Sequence, residues 1–345
     1  MKLMTVSREN LRISVVVVTY NEEKNIEDCI MSLLKLDYPK EKHEIVVIDG
    51  KSQDRTGTIV LKYVNRDNRV RFFENPKRTI ASNRNVGISK ARFEYIAFTD
   101  ADCTVPRDWL LTLVNAYNTE KERTKLGAVG GGNILVGNPN SFSEAVGLAM
   151  NSYLSSLGTV QGKIYEQSKR VDSLACLNVL YSKSVLEDAG GFSEALANMT
   201  EDYELNYRIR QRGYKLLYIP NANVYHKSRT TLIAFLRQMY LYGKGRARLT
   251  LLNPKTFKLI YFLPILFIVL MLGAIISTIW LQTPVCLLPL AAYGVLILGI
   301  SLLIALNSRK LHRVFPIALV FVIIHWGYSA GELIGFLSPF CRQRM

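Results

Sequence analysis

Asp100 and Asp102 stand one residue apart in EYIAFTDADCTVP (94–106), at the end of a β-prone, mostly apolar run. Two carboxylates cannot bind a phosphate directly, because like charges repel. With Mg²⁺ or Mn²⁺ between them the sign inverts, since these hard ions take oxygen ligands and bridge to phosphates. Such an ion neutralises charge building on a departing diphosphate. Ordinary surface turns also contain this spacing, so placement has to decide. Glu201 and Asp202, in MTEDYELNYRIRQRG, open a helix. They read as an acid pair favoured by the helix dipole, with Thr200 as cap, or as a general base for a sugar hydroxyl. His226, in NVYHKSR, is a structural histidine or a third metal ligand, with Lys227 and Arg229 near the diphosphate. Asp49 is a turn acid or a ligand of a nucleotide base or ribose. Lys77, Arg78 and Arg84, in NPKRTIASNRNVGISKAR, suit phosphate contacts or form the basic face of a solvated helix.

These residues need a frame to bring them together. ISVVVV (13–18) is a β-branched run, as in a strand buried on both faces. A helix over 25–36, a strand over 45–48, a helix over 54–63 and a short strand over 71–73 follow. A helix over 82–91, a strand over 95–98 and a helix from Pro106 to about 117 complete the first half. This alternation predicts an α/β domain with a mainly parallel sheet, whose ligands bind beyond the carboxyl ends of the strands. Thr19, Tyr20, Asn21 and Glu22 follow the first strand, DGKSQD (49–54) the second, and TDAD (99–102) a later one. Three distant pieces of chain thus reach one sheet edge. The second half is less regular. Residues 128–136 read as a strand interrupted by Gly130, Gly131 and Gly132, and 147–165 as a mobile or membrane-touching segment. A helix over 183–189 stops at Gly190 and Gly191, one over 201–212 closes at Gly213, and 214–220 and 224–226 read as strands.

Composition shifts after residue 255. Three apolar runs, 259–281, 285–306 and 314–337, each have the length of about 20 residues that crosses a bilayer core. Ahead of them 231–252 reads as an amphipathic helix, with Phe235, Tyr240 and Tyr242 beside Arg237, Lys244 and Arg246. Such a helix lies in the membrane interface, where Arg237, Tyr240, Lys244 and Arg246 would meet headgroups or a lipid-borne acceptor. The expected division is therefore 1–230, 231–256 and 257–345. Residues 1–12 lack the apolar core of a signal peptide. Basic residues before the first run and at 309–313 place the large domain and that loop in the cytoplasm. Three full spans leave Arg342 and Arg344 outside, unless one segment is re-entrant. The five cysteines form no CxxC pair and suit a reducing compartment, where the Asn198-Met199-Thr200 sequon has no meaning. The net charge of +15 favours anionic lipid headgroups. A basic motif with aromatic platforms or a reading helix is absent, which argues against nucleic acid. A single acid, Glu332, and a single histidine, His325, in the spans are too few for a transport pathway. They are expected to pair or to touch a lipid phosphate.

VVVVTYNEEKNIEDCI, VVIDGKSQDRT, ASNRNVGISKARFEYIAFTDADC, GGF and TEDYELNYRIRQRGYKLLYIPNANVYH occur in this order over residues 12–230. Together they resemble the family 2 glycosyltransferases of GT-A fold. The three spans further resemble membrane-anchored members that build lipid-linked or surface polysaccharides, such as succinoglycan-type glucosyltransferases. The resemblance implies a Rossmann-like domain, a nucleotide-diphosphate sugar donor held through a divalent metal, and one in-line, inverting displacement; a UDP-linked donor is expected, with GDP the alternative. Thr19, Asn21, Glu22 and Asp49 would line the nucleotide pocket. Asp100 and Asp102 would hold the donor through the metal, and Asp202 would be the base, with Glu201 its neighbour. A polyprenyl-diphosphate-linked saccharide would be the acceptor. Lys51 departs from the pattern, since relatives more often carry a small or acidic residue there, which bears on base or donor preference. The QxxRW of processive synthases is absent, so one sugar is expected per encounter. A polyprenyl-phosphate sugar synthase would keep the chemistry with an acceptor that needs no base. A non-catalytic nucleotide-sugar scaffold is opposed by the intact acid set.

Overall fold

The structure, a computed structural model, describes residues 11–136, 142–152, 164–196, 199–227 and 231–338. It divides into two compact units, 1–135 with 158–227, and 136–157 with 228–345. Residue 136 and residues 142–152, read from the sequence as part of the first domain, fall in the second unit. Within 147–165, residues 153–163 lie outside the described residues, as does Asn198.

The first unit is built on one sheet of nine strands among the described residues. β1 (Ile13–Thr19), β2 (His43–Asp49), β3 (Val70–Glu74) and β4 (Tyr95–Asp100) lie parallel in the order β3-β2-β1-β4. Strands buried on both faces need apolar residues at every position, and β1 is buried throughout. Its alternate side chains feed two cores. Ile13, Val15 and Val17 meet Ile26, Ile30 and Leu33 of α1 (Ile26–Leu34), on the side that also holds Val60 of α2 (Thr56–Val64). Val16 and Val18 meet Ala81 and Ile88 of α3 (Ile80–Lys90) on the other side.

The rest of the sheet is antiparallel where its pairing is recorded. β5 (Cys103–Thr104) and β7 (Lys169–Arg170) pair with β9 (Lys215–Lys227), and β8 (Val179–Ser182) pairs with β4 and with β6 (Leu126–Val136). The glycines do not interrupt β6. They let it press on β9, since a Cβ on Gly131 would overlap the Ala222 carbonyl. β9 likewise runs unbroken where two strands were expected. α4 (Trp109–Lys121) begins three residues beyond Pro106, whose carbonyl accepts from the Trp109 amide at 3.1 Å.

Asn178 ties these pieces together. Its buried amide accepts from Trp109 Nε1 at 2.8 Å and donates to the carbonyls of Gly132 at 2.8 Å and Ala222 at 2.6 Å. Asn178→Leu strands one buried donor and two acceptors. We expect it to destabilise the unit by about 2–4 kcal/mol, read as a fall in the thermal midpoint followed through tryptophan fluorescence.

In the second unit, α5 (Phe142–Met150) carries Glu144, which pairs with Lys310 at 2.5 Å and Arg313 at 2.8 Å. α8 (Leu232–Leu252) has Thr231 as N-cap and precedes α9 (Leu263–Leu281), α10 (Leu288–Asn307) and α11 (Val314–Leu337). With their flanking turns the last three are long and apolar enough to cross a membrane. α8 packs backbone to backbone on α11. A Cβ on Gly243 would overlap the Tyr328 carbonyl, and one on Gly331 the Tyr240 carbonyl. Gly327, Gly331 and Gly335 repeat at the small-residue spacing that brings membrane helices into close approach. The expected interfacial face of α8 is therefore divided. Arg237 is exposed, Tyr240 and Lys244 are half-buried, and Arg246 is buried with its guanidinium 4.2 Å from the centre of the Tyr261 ring. His325 bonds Tyr293 at 3.0 Å, while Glu332 is buried with Arg246 as its charged neighbour.

Candidate active site

The two loops after β1 and β2 are stitched to each other. Asn21 adopts a left-handed backbone (φ 55°), donates its amide to Ser52 Oγ and accepts from the Gln53 amide on Oδ1, both at 2.8 Å. Glu22 donates its amide to Thr56 Oγ1 at 2.8 Å. Asp49 is buried and both carboxylate oxygens accept from Ser52, at 2.9 and 2.5 Å. Its direct role in the structure is thus to shape the turn. Thr19 is buried at the edge, its Oγ1 without a hydrogen-bond partner among the described residues, and Tyr20 is exposed.

Lys51, the departure noted above, sits at φ 62°. A Cβ in that region costs about 1–2 kcal/mol, and glycine gives back part of the gain as unfolded-chain entropy. Lys51→Gly should therefore raise stability by about 0.5–1 kcal/mol in a denaturation curve. No gain, or a loss, would show that the lysine side chain makes a compensating contact.

Arg84 is the hinge of the acidic cluster. Its side chain is 5% exposed and it bonds Glu201 at 2.5 Å and Asp100 at 3.3 Å. It was expected at the diphosphate but lies within the wall, holding two acids. The guanidinium stands 5.5 Å from the centre of the Phe192 ring. Asn85 next to it exchanges hydrogen bonds with the Phe192 backbone, at 2.9 and 2.8 Å. This fixes the turn through Gly190 and Gly191, both at positive φ, that follows α6 (Lys183–Asp188). Burial pushes the carboxyls of Asp100 and Glu201 above their usual range, and the Arg84 charge opposes this in both.

Glu201 and Asp202 open α7 (Glu201–Gln211) but differ in surroundings. Glu201 is buried against Arg84, while Asp202 is half-buried and accepts from the Tyr203 amide at 2.7 Å. Thr200 does not cap the helix, which corrects the simplest reading of this stretch. It takes φ 54° and gives its hydroxyl to the Met199 carbonyl at 2.7 Å.

Asp102 and His226 meet because β5 and β9 pair with Cys103 opposite His226. The Lys227 amide donates to the Asp102 carbonyl at 3.0 Å, and His226 Nε2 lies 3.0 Å from Asp102 Oδ2. Ligand atoms of Asp102, Cys103 and His226 lie within 4.8 Å of one another. Burial and the Asp102 and Asp100 charges push the Cys103 thiol well up, which disfavours the thiolate form. The usable donors are carboxylate oxygen and imidazole, which suit Mn²⁺ or Mg²⁺ better than a thiolate-seeking ion. Asp100, expected as a second carboxylate ligand, is turned to Arg84.

The outlying cations are placed elsewhere. Lys227 reaches Asn25 at 2.9 Å and Asp28 at 3.0 Å, and Lys77 pairs with Glu194 at 2.9 Å. Arg78 is exposed, and Arg229 lies outside the described residues. Sequence reasoning missed Ser52, Asn85, Cys103 and Asn178. Ser52 and Asn85 lie inside the quoted motifs, but nothing in their types distinguishes them there.

A model described as glycosyl transferase family 2 matches residues 14–141, and one described as glycosyl transferase family group 2 matches residues 95–324. The chain is 26% identical to a dolichyl N-acetyl-alpha-D-glucosaminyl phosphate 3-beta-D-2,3-diacetamido-2,3-dideoxy-beta-D-glucuronosyltransferase of Methanococcus voltae, over 94% of this chain and 98% of that one. It is 28% identical to succinoglycan biosynthesis protein ExoA of Rhizobium meliloti (strain 1021), over 93% and 95% respectively. The fold matches mannosyltransferase PcManGT from Pyrobaculum calidifontis, solved with GDP-Man and Mn²⁺, with a TM-score of 0.58 and 22% identity over 95% of this chain and 87% of that one. That neighbour has the GT-A architecture expected from the motifs. The group 2 match alone spans more than half of the chain, and with the strand-end acids in place this chain belongs to glycosyltransferase family 2.

Proposed function

We propose that the protein is a membrane-held, inverting glycosyltransferase that moves a sugar from a UDP-linked donor to a polyprenyl-diphosphate-linked saccharide at the cytoplasmic face. The observation that carries this reading is the division of labour in one helix end. Glu201 is locked to Arg84, whereas Asp202 is half-buried at the same N-terminus. Asp202 is the base: it takes the acceptor hydroxyl's proton as the new C–O bond forms and the diphosphate departs with its bonding pair. Arg84 holds Asp100 and Glu201 in place and favours their charged forms against the effect of burial. Thr19, Tyr20, Asn21, Glu22 and Asp49 form the nucleotide edge, with Asp49 acting through the Ser52 turn. A divalent ion held by Asp102 and His226, with Asp100 beside them, would neutralise the leaving diphosphate.

The relatives support the acceptor class, since one name carries a dolichyl-linked sugar phosphate and the other a polysaccharide. The fold neighbour solved with GDP-Man and Mn²⁺ supports a metal and makes GDP the rival donor. Three apolar helices, and Arg237 exposed on α8, suit a lipid-borne acceptor, whose effective concentration rises when enzyme and acceptor share a membrane.

The test is turnover of a panel of UDP- and GDP-sugars by the purified full chain, with Mn²⁺, Mg²⁺ or EDTA, and with or without a polyprenyl lipid extract. Metal-dependent turnover of one UDP-sugar, stimulated by lipid, is expected. Donor binding without turnover in every condition would replace the transferase with a nucleotide-sugar scaffold. Full turnover in EDTA would remove the metal.

A further inference from the structure

Asn133, on β6, faces the far side of the His226 ring from Asp102. Its Nδ2 lies 3.5 Å from His226 Nδ1, and its Oδ1 is buried with no hydrogen-bond partner among the described residues. A buried amide oxygen left unpaired costs about 1–3 kcal/mol, so its persistence asks for a state in which it is used. The two ring nitrogens of a neutral histidine have opposite roles. With the amide nitrogen of Asn133 toward Nδ1, that nitrogen is the acceptor, and the ring proton sits on Nε2, directed at Asp102. In this tautomer Nε2 has no lone pair to offer. Turning the Asn133 amide by half a rotation puts the orphan Oδ1 on Nδ1. The ring proton then moves to Nδ1, and Nε2 presents its lone pair beside the Asp102 carboxylate. Between these two neutral tautomers one proton changes position.

Resting on the metal reading above, we propose that Asn133 is a positioning residue that selects the tautomer of His226 and so makes Nε2 available to a divalent ion. Asparagine can serve both arrangements, because it offers a donor and an acceptor on one rotating group. Aspartate could serve only the ion-ready one, and leucine of similar size neither. Partners that fix the tautomer of a ligating histidine are worth 10- to 100-fold in metal affinity.

The test is Mn²⁺ binding to the full chain in detergent, followed by the electron paramagnetic resonance of free Mn²⁺, with and without UDP. Asn133→Leu should weaken binding about 10- to 100-fold, and Asn133→Asp should hold it near wild type. Equal affinities for wild type and Asn133→Leu would overturn the proposal. Asp102→Asn is the control: if wild type binds Mn²⁺ no better than this variant, the metal reading itself fails. A second readout needs no variant at Asn133. In ¹⁵N-histidine-labelled protein, with His226→Gln to assign the signal, saturating Mg²⁺ should move the ring proton from Nε2 to Nδ1. A proton that stays on Nε2 with Mg²⁺ bound would overturn the proposal, even if Asn133→Leu does not fold.

Discussion

Asp202→Asn is expected to lower transfer to a saccharide hydroxyl by about 100- to 10,000-fold with donor KM little changed, the range for losing a positioned base. The substitution is nearly isosteric. Its Oδ1 can still accept from the Tyr203 amide, a contact of 2.7 Å in the structure, so the start of α7 should hold. The lost charge at a helix N-terminus costs only about 0.3–1 kcal/mol of stability. Steady-state kinetics on the sugar donor named by the panel, alongside a thermal melt, separate the two effects. A polyprenyl phosphate acceptor arrives already ionised and needs no base. Turnover that survives Asp202→Asn would therefore transfer the assignment to a polyprenyl-phosphate sugar synthase.

Arg84→Met should cost about 3–5 kcal/mol of stability, because it leaves Glu201 and Asp100 facing each other without their shared cation. The sign of the pH dependence follows from the directions already given. Burial raises both carboxyls above their unfolded values, so the folded state holds protons more tightly and loses relative stability as pH rises. Arg84 opposes that rise, and removing it enlarges it. The gap in thermal midpoint between wild type and Arg84→Met should thus be small near about pH 5 and wide near about pH 8. A gap independent of pH would mean that neither acid carries its charge against Arg84. Arg84→Lys keeps the charge but not the fork that spans both partners, and should fall between the two.

The parallel half of the sheet was legible because its physics is local. A strand buried on both faces must be apolar at every position, and 13–18 is; the polar residues that follow must then lie at its mouth. The three apolar runs were legible for the same reason. What escaped depends on partners far away in the chain. Three glycines in a row read as a break until β9 is seen lying against them. Arg84, Lys77 and Lys227 were read by their sign, which says that each seeks an anion but not which one. Arg84 found buried Glu201 and half-buried Asp100, Lys77 found Glu194, and Lys227 found α1. Only the family resemblance divided the acid pair, because the residue types and spacing alone do not say which of Glu201 and Asp202 meets Arg84. Cys103 opposite His226 is a register, and a two-residue strand leaves no periodicity to read.

That register sets a clock on the protein's birth. Asp102 and His226 lie 124 residues apart in the chain. At ordinary translation rates about 6–25 s separate their emergence from the ribosome, and β9 is the last strand to appear. The nucleotide edge can fold early, from pieces made close together in time. The Asp102–His226 pair cannot close until β9, the final strand among the described residues, docks, just before the chain enters its apolar segments. On the proposed function, the nucleotide edge is made well before the Asp102–His226 pair is complete, so sugar transfer begins only as the apolar segments start to emerge.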